Sequence, residues 1–249
     1  MRIPLLKYAS SAGRRFFSST PGNVKPVTHC IFDMDGLLID SETVYKKMLT
    51  ILCKKYGHEY TNDLMMKILG GTEWRMAETL VKELALPMTP SQLRDEFLDL
   101  GDKMLNDAPW MPGAEKLLRH LHKSNVPIAC ATSSSERTVK VKIQGREEVF
   151  GYFNHWVMGS TDPAVKFGKP HPDIFLIAAE RFPDKPDPSK CLVFEDSPHG
   201  VTAANSACMQ SVMVPDPELD PKLTTGATIV LPSLECFKPE TFGLPPYCD

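Results

Sequence analysis

The chain has 249 residues, a formal net charge of −3 at pH 7 and 24% charged residues. This length allows one domain with an insertion, and the balanced charge offers no basic stripe for nucleic acid or a membrane surface. No stretch approaches the roughly twenty apolar residues of a membrane-spanning helix. The seven cysteines are odd in number and form no C-x-x-C pair, which argues against a disulfide framework or a zinc site. We expect a globular protein, monomeric or weakly dimeric, whose partner is a small molecule.

Residues 1–22 differ in composition from the rest of the chain. They contain Arg2, Lys7, Arg14 and Arg15 together with several serines, and no acidic residue occurs among them. A start rich in Arg and Ser and free of acidic residues is typical of a mitochondrial transit peptide. The alternative is a disordered basic tail on a cytoplasmic protein. We predict a mitochondrial location from this segment.

The first predicted strand, residues 27–32, leads directly into Asp33-Met34-Asp35-Gly36. In an extended segment residues i and i+2 point the same way, so Asp33 and Asp35 are expected to face one pocket. Two carboxylates that close repel each other unless a metal ion or a shared proton offsets the repulsion. These four residues alone fit two interpretations equally well, a phosphoryl-transfer site and a turn that closes the strand.

A helical stretch follows, in which apolar residues such as Val44, Met48 and Leu52 recur on one helix face. Strand-like runs return at residues 128–132, 155–158, 191–194, 211–214 and 228–231, with helical stretches between them. Such alternation predicts an α/β fold, a doubly wound parallel sheet covered on both faces. Residues 27–41 and 112–249 are expected to form this core. Residues 42–111 are expected to form an inserted α-helical cap, which we call the cap, above the carboxyl edge of the sheet.

Further polar residues stand at the ends of predicted strands. Thr132 and Ser133 end the second strand, Glu195 and Asp196 end the fourth, and Lys169 precedes a helix. Each is unremarkable alone, because Thr and Ser often cap helices and single charged side chains are usually solvated. Together with the first two aspartates they supply the nucleophile, acid, metal ligands and positive charge that phosphoryl transfer requires.

The order and strand-end context of these residues resemble the four motifs of the haloacid dehalogenase-like phosphatases, over about residues 28–231. The motifs are Asp33-Met34-Asp35-Gly36 with the following Leu37-Leu38-Ile39-Asp40-Ser41-Glu42, then Thr132, Lys169, and Glu195-Asp196-Ser197-Pro198-His199-Gly200. The resemblance implies the family's fold, a Rossmann-like core, and an enzyme that hydrolyses a small nucleotide-like or sugar phosphate.

The resemblance also implies roles for the core aspartates. Asp33 would attack phosphorus and form an aspartyl-phosphate, and Asp35 would act as general acid and then as general base. Mg²⁺ would be held by the Asp33 carboxylate, the Asp35 backbone carbonyl and Asp196, with Glu195 as a further ligand or as support. Oxygen ligands of this kind suit that cation.

The remaining motif residues are implied to bind phosphate. Thr132 and the Ser133 backbone N–H would hold the transferring oxygens, and Lys169 would neutralise their charge.

Two other functions stay open. An Asp at position 35 fits a phosphomutase as well as a phosphatase, and a phosphate-binding module without catalysis is a third possibility. The cap would decide which molecule accepts the phosphoryl group.

Overall fold

A parallel sheet of six strands forms the centre of the molecule, in a computed structural model that describes residues 24–68 and 72–247. The strands are β1 His29–Phe32, β2 Ile128–Thr132, β3 His155–Met158, β4 Cys191–Glu195, β5 Gln210–Met213 and β6 Ile229–Val230. Their order across the sheet is β3-β2-β1-β4-β5-β6, and all neighbours are parallel. The six predicted strands and the α/β fold class are confirmed.

The register of the central strands decides where the site forms. Phe32 at the end of β1 pairs with Cys130 of β2 on one side and with Phe194 of β4 on the other. These three strands are buried along their whole length. Their carboxyl ends therefore meet at one edge of the sheet, which is where open α/β sheets bind ligands.

Helices cover both faces of the sheet. They are α5 Ala114–Lys123, α6 Glu136–Lys142, α7 Glu147–Phe150, α8 Asp173–Arg181 and α9 Pro198–Ser206. Neighbouring strand residues belong to different core clusters. Phe32 and Phe194 pack with Leu117 of α5, whereas Ile31 lies in the cluster of Phe175 on α8. This alternation follows from the two-residue period of a strand, and it makes a sheet with two apolar faces.

In the described part of the chain, four α-helices lie between β1 and α5. They are α1 Ser41–Lys55, α2 Asn62–Ile68, α3 Glu73–Glu83 and α4 Pro90–Met104. The α4 helix starts with a capping box, in which Thr89 and Gln92 exchange hydrogen bonds, and Pro90 occupies a first-turn position where its missing N–H is not needed. These helices fall almost wholly within the range predicted for the cap.

The predicted transit segment, residues 1–22, lies outside the described residues, so its fate stays a prediction. Within the described ranges, no helix has both the length and the apolar composition that crossing a bilayer requires.

Candidate active site

Asp33 stands at the first position after β1, where its backbone N–H still bonds to the carbonyl of Phe194. Its carboxylate accepts a hydrogen bond from the Lys169 ammonium at 2.5 Å, and both side chains are more than nine-tenths buried. Lys169 also donates to the Glu195 carboxylate at 2.6 Å and to the Ala131 carbonyl at 3.1 Å. The lysine is therefore held by β2 and β4 at the same time, which fixes its charge beside Asp33.

The electrostatic surroundings of Asp33 favour its neutral form. Burial raises the pKa of Asp33, Lys169 lowers it, and the charges of Glu195 and Asp35 raise it, with a net value of about 7. One ammonium shared between two carboxylates does not offset burial and like-charge repulsion. The group therefore needs a further positive charge to be fully ionised at neutral pH.

Asp35 lies in the opposite environment. Its carboxylate accepts four hydrogen bonds, from Ser41 Oγ at 2.6 Å, Thr132 Oγ1 at 3.2 Å, Ser134 Oγ at 2.8 Å and Lys142 Nζ at 2.5 Å. Burial raises the pKa of Asp35, but the charge of Lys142 and these hydrogen bonds outweigh burial, so the pKa lies below its usual range. Asp35 is thus ionised in this arrangement.

Lys142 is the functional candidate that the sequence analysis missed. Its side chain is completely buried, and its ammonium donates to Ser134 Oγ at 2.6 Å as well as to Asp35. The ammonium also lies 5.1 Å from the centre of the Tyr45 ring on α1. Lys142 therefore contacts Asp35 after β1, the loop between β2 and α6, and the cap. Its spacing in α6 held a signal, because Lys142 follows Thr138 by one helical turn and shares that residue's buried face.

The structure brings Thr132 to Asp35 and leaves Ser133 at the surface. Thr132 is buried, and its hydroxyl donates to Asp35 while it accepts from the Ser134 N–H at 3.1 Å. Ser133 is exposed, and its carbonyl accepts from Ser160 Oγ at 2.6 Å. Thr132 is the last residue of β2, and Ser133 begins the loop between β2 and α6.

Glu195 has little freedom to bind a metal ion. One of its oxygens accepts from Lys169, and the other accepts at 3.0 Å from the Asp196 N–H, the Ser197 N–H and the Ser197 hydroxyl. Of the two roles expected for Glu195, ligand or support, this geometry favours support. The backbone of Gly200 also closes tightly on it, since a Cβ there would lie 1.8 Å from the Glu195 carboxyl carbon.

The residues expected to bind Mg²⁺ fit that ion. Asp196 Oδ2 would lie 2.3 Å from a Cβ built on Gly36, whose φ of +77° suits glycine, so this oxygen packs directly against the backbone beside Asp35. Burial, Glu195 and Asp33 raise the pKa of Asp196 well above its usual range. A cation between Asp33 and Asp196 would relieve this repulsion. Among the described residues no group of three or more His, Cys, Asp or Glu side chains forms a metal cage. Two carboxylates and one carbonyl suit Mg²⁺, which keeps several waters.

Comparison with known proteins agrees with this geometry. Residues 27–207 match the family model of haloacid dehalogenase-like hydrolases. The chain is 48% identical over 226 residues to a probable pseudouridine-5'-phosphatase of Drosophila melanogaster, covering 91% of this chain and 98% of that protein. It is 43% identical over 228 residues to (DL)-glycerol-3-phosphatase 2 of Arabidopsis thaliana, covering 90% of this chain and 94% of that protein.

A solved structure shares the fold at lower identity. The β-phosphoglucomutase of Clostridium difficile superposes with a TM-score of 0.67 at 22% identity, covering 87% of this chain and 97% of that one. This likeness concerns the architecture alone. The family model covers most of the chain, and the two relatives named above, which match along nine-tenths of it, carry phosphatase names. The chain therefore belongs to the haloacid dehalogenase-like hydrolase family, in which it is a phosphatase, a hydrolase of phosphoric monoesters.

Proposed function

We propose that the protein is a Mg²⁺-dependent phosphomonoesterase that works through an aspartyl-phosphate on Asp33. Its substrate would be a small nucleotide-like or sugar phosphate, with pseudouridine 5'-phosphate as the first candidate. One observation carries the proposal: two aspartates at the end of β1 have separate lysines, Lys169 on Asp33 and Lys142 on Asp35. The Drosophila relative and its high identity support the choice of first candidate.

The first step forms a bond between an Asp33 oxygen and phosphorus and breaks the bond from phosphorus to the ester oxygen. Asp35 gives a proton to that leaving oxygen, so the alcohol departs neutral. An approaching phosphate dianion raises the pKa of Asp35, as any nearby negative charge does, and this favours the protonated form that the step needs. Lys169 lies beside Asp33 and would pair with the phosphate oxygens.

The second step returns Asp33 to its starting state. Asp35 takes a proton from water, the water oxygen bonds to phosphorus, and the bond from phosphorus to Asp33 breaks. Thr132 and Ser134 hold Asp35 in the ionised form that accepts this proton. When bound by Asp33, the Asp35 carbonyl and Asp196, Mg²⁺ would supply positive charge that offsets the meeting of phosphate with two carboxylates.

A substrate panel tests the proposal. The purified protein is incubated with Mg²⁺ and pseudouridine 5'-phosphate, uridine 5'-phosphate, glycerol 3-phosphate, fructose 1-phosphate or β-glucose 1-phosphate, and inorganic phosphate is measured. We expect phosphate release that disappears in a folded Asp33→Asn variant. A protein that releases no phosphate from any ester would contradict the proposal, as would undiminished activity of Asp33→Asn.

The same panel separates hydrolase from phosphomutase. Both reactions use an aspartyl-phosphate, but a mutase converts β-glucose 1-phosphate to glucose 6-phosphate without net phosphate release. The phosphatase reaction is favoured because both relatives with more than 40% identity named above are phosphatases. The reading as a pure phosphate-binding module is disfavoured, since such a module has no use for a carboxylate nucleophile that faces an anion.

We also propose import into mitochondria with loss of the first 18 or so residues, as their composition suggests. Sequencing the native protein's terminus tests this. A start near Ser18 or Ser19 is expected, and an intact Met1 would contradict it.

A further inference from the structure

One residue of the cap places its carboxylate beside the loop between β2 and α6. Glu73 is the first residue of α3, and its side chain is only 14% exposed. Its Oε1 accepts a hydrogen bond from Ser135 Oγ at 3.4 Å. Ser135 directly follows Ser134, whose hydroxyl bonds to Asp35. The Glu73 carboxylate therefore lies where the cap meets the loop beside the phosphate-binding residues.

The charge of Glu73 is coupled to the catalytic groups. Burial raises its pKa, the charges of Arg94 and Lys142 lower it, and the charge of Asp35 raises it, with a net rise. Two of these groups, Lys142 and Asp35, form the catalytic ion pair. The leaving group of a substrate bound at Asp33 would depart beside Asp35, so it would lie on the side of the site that Glu73 faces.

Several of the cations on this side are paired with carboxylates. Arg94 Nε lies 3.9 Å from Glu73 Oε2, and Lys142 bonds to Asp35. Arg137 bonds to Asp99 and Asp102 of α4. Lys169 is the cation beside Asp33, where the transferring phosphate goes. Glu73 thus presents a carboxylate oxygen on the leaving-group side, whereas Lys169 lies beside the transferring phosphate.

We propose that Glu73 is a specificity-determining residue that selects phosphate esters with an uncharged leaving group rich in hydroxyl or N–H donors and rejects a second phosphate. A carboxylate oxygen accepts hydrogen bonds from such donors and repels an anion. The proposal deepens the phosphatase function proposed above and rests on it, because it concerns the leaving-group side of the same site.

A matched pair of ligands isolates this effect. β-Glucose 1-phosphate and β-glucose 1,6-bisphosphate are both pyranoses and differ only by the second phosphate. Their dissociation constants are measured by calorimetry on the full chain with Asp33→Asn, so that binding does not depend on turnover. In that background Glu73→Arg should raise the affinity for the bisphosphate relative to the monophosphate by about tenfold, the size expected for reversing one charge in a partly buried site. Glu73→Gln should raise the ratio by about threefold.

Glu78→Arg is the matched control. It makes the same charge change on the same helix, but Glu78 is exposed and bonds only to the Trp74 indole among the described residues. Its ratio of bisphosphate affinity to monophosphate affinity should stay within about twofold of that of the Asp33→Asn protein, because exposed charges are screened. If Glu73→Arg does not fold, as judged by circular dichroism, Glu73→Gln decides the question.

Equal ratios in the Glu73 and Glu78 variants would overturn the proposal, and so would undetectable binding of both esters. The outcome is separate from that of the substrate panel. A wild-type protein that releases no phosphate refutes the phosphatase proposal, while the ratio of dissociation constants still reports on Glu73.

Discussion

Two aspartates one residue apart have been given different electrostatic properties by different partners. Asp33 shares Lys169 with Glu195, and its pKa is raised by burial to about 7. Asp35 has Lys142 and three hydroxyl groups, and its pKa is lowered despite burial. Such divergence within a pair is how one site provides separate roles for two carboxyl groups. Of these two aspartates, Asp33 is the one that takes up a proton more easily.

The raised pKa of Asp33 predicts how metal affinity depends on pH. Below about pH 7 Mg²⁺ must displace a proton from Asp33, so the dissociation constant should increase as pH falls from 8 to 6, by up to about tenfold per unit well below the pKa. Above pH 7 Asp33 no longer contributes, and any dependence that remains comes from Asp196, whose pKa is also raised. Calorimetric titration of the full chain with MgCl₂ measures this.

Two variants test whether the measured Mg²⁺ binding takes place at this site. Asp196→Asn should weaken Mg²⁺ binding at every pH, whereas Asp63→Asn, an exposed carboxylate of the cap, should leave it unchanged. A dissociation constant that does not vary between pH 6 and 8 would show that no proton competes with the metal.

The buried pair of Lys142 and Asp35 predicts strong coupling in stability. Lys142→Met leaves Asp35 buried without its cation, which should lower the free energy of unfolding by about 3–5 kcal/mol. The double variant with Asp35→Asn should lose clearly less than the sum of the two single changes, because no unpaired charge remains. Urea unfolding of the four proteins gives the coupling energy, with Lys140→Met on the exposed face of α6 as the control. Additive losses would mean that the two side chains act independently.

The site residues that end strands could be predicted from the sequence, whereas the one that comes from a helix could not. Asp33, Thr132 and Glu195 each follow an apolar run, so their place at the sheet edge could be read from the pattern. Lys142 does not follow an apolar run, and an isolated lysine in a helix is usually solvated. Its spacing from Thr138 is only a weak signal, because its burial depends on how α6 packs against α4 and on the contact with Tyr45 of α1.

At the scale of elements, the strands were predictable because buried parallel strands are continuous apolar runs bounded by polar residues. Which strands are neighbours was not predictable in the same way. The first strand pairs with the second and fourth, and that order brings Lys169 between Asp33 and Glu195. The contact between Glu73 and Ser135 was equally out of reach, since it joins a cap helix to a core loop 62 residues away.

The close approach of the α9 backbone to Glu195 leads to a prediction about Gly200. Alanine inside a helix is normally more stable than glycine by up to about 1 kcal/mol. At Gly200 the added Cβ would lie 1.8 Å from the Glu195 carboxyl carbon, and Glu195 is held by Lys169 and Ser197. Gly200→Ala should therefore lower both the melting temperature and kcat, the reverse of the helix preference.

Gly168→Ala is the control for that change. Gly168 adjoins Lys169, but nothing lies within 4 Å of a Cβ built there. This variant should keep the melting temperature within a few degrees and retain activity. A Gly200→Ala protein that is more stable than the parent would show that Glu195 can move away, and its fixed position would no longer explain the geometry of Lys169.

At the scale of the whole molecule, the cap and the core meet along α6. Lys142 lies against Tyr45 of α1, and Arg137 bonds to Asp99 and Asp102 of α4. The helix that supplies the partner of Asp35 therefore also contacts two helices of the cap. Catalytic geometry and cap position are linked through one short helix.

The Arg137 contacts predict that cap seating affects substrate affinity more than chemistry. Arg137 is 45% exposed, so its ion pairs are weak and salt-sensitive. Arg137→Gln should lower the fraction of molecules with the cap seated, and apparent affinity falls in proportion to that fraction. KM should rise by about two- to fivefold with kcat unchanged, because Arg137 touches none of the reacting residues. The increase should vanish in 0.5 M NaCl, where the wild type loses the same contacts.

Arg119→Gln is the control. It removes comparable exposed ion pairs, with Glu115 and Glu148 on the core, and should leave KM unchanged. An increase in KM that persists at high salt would mean that Arg137 acts through packing and not through its charge.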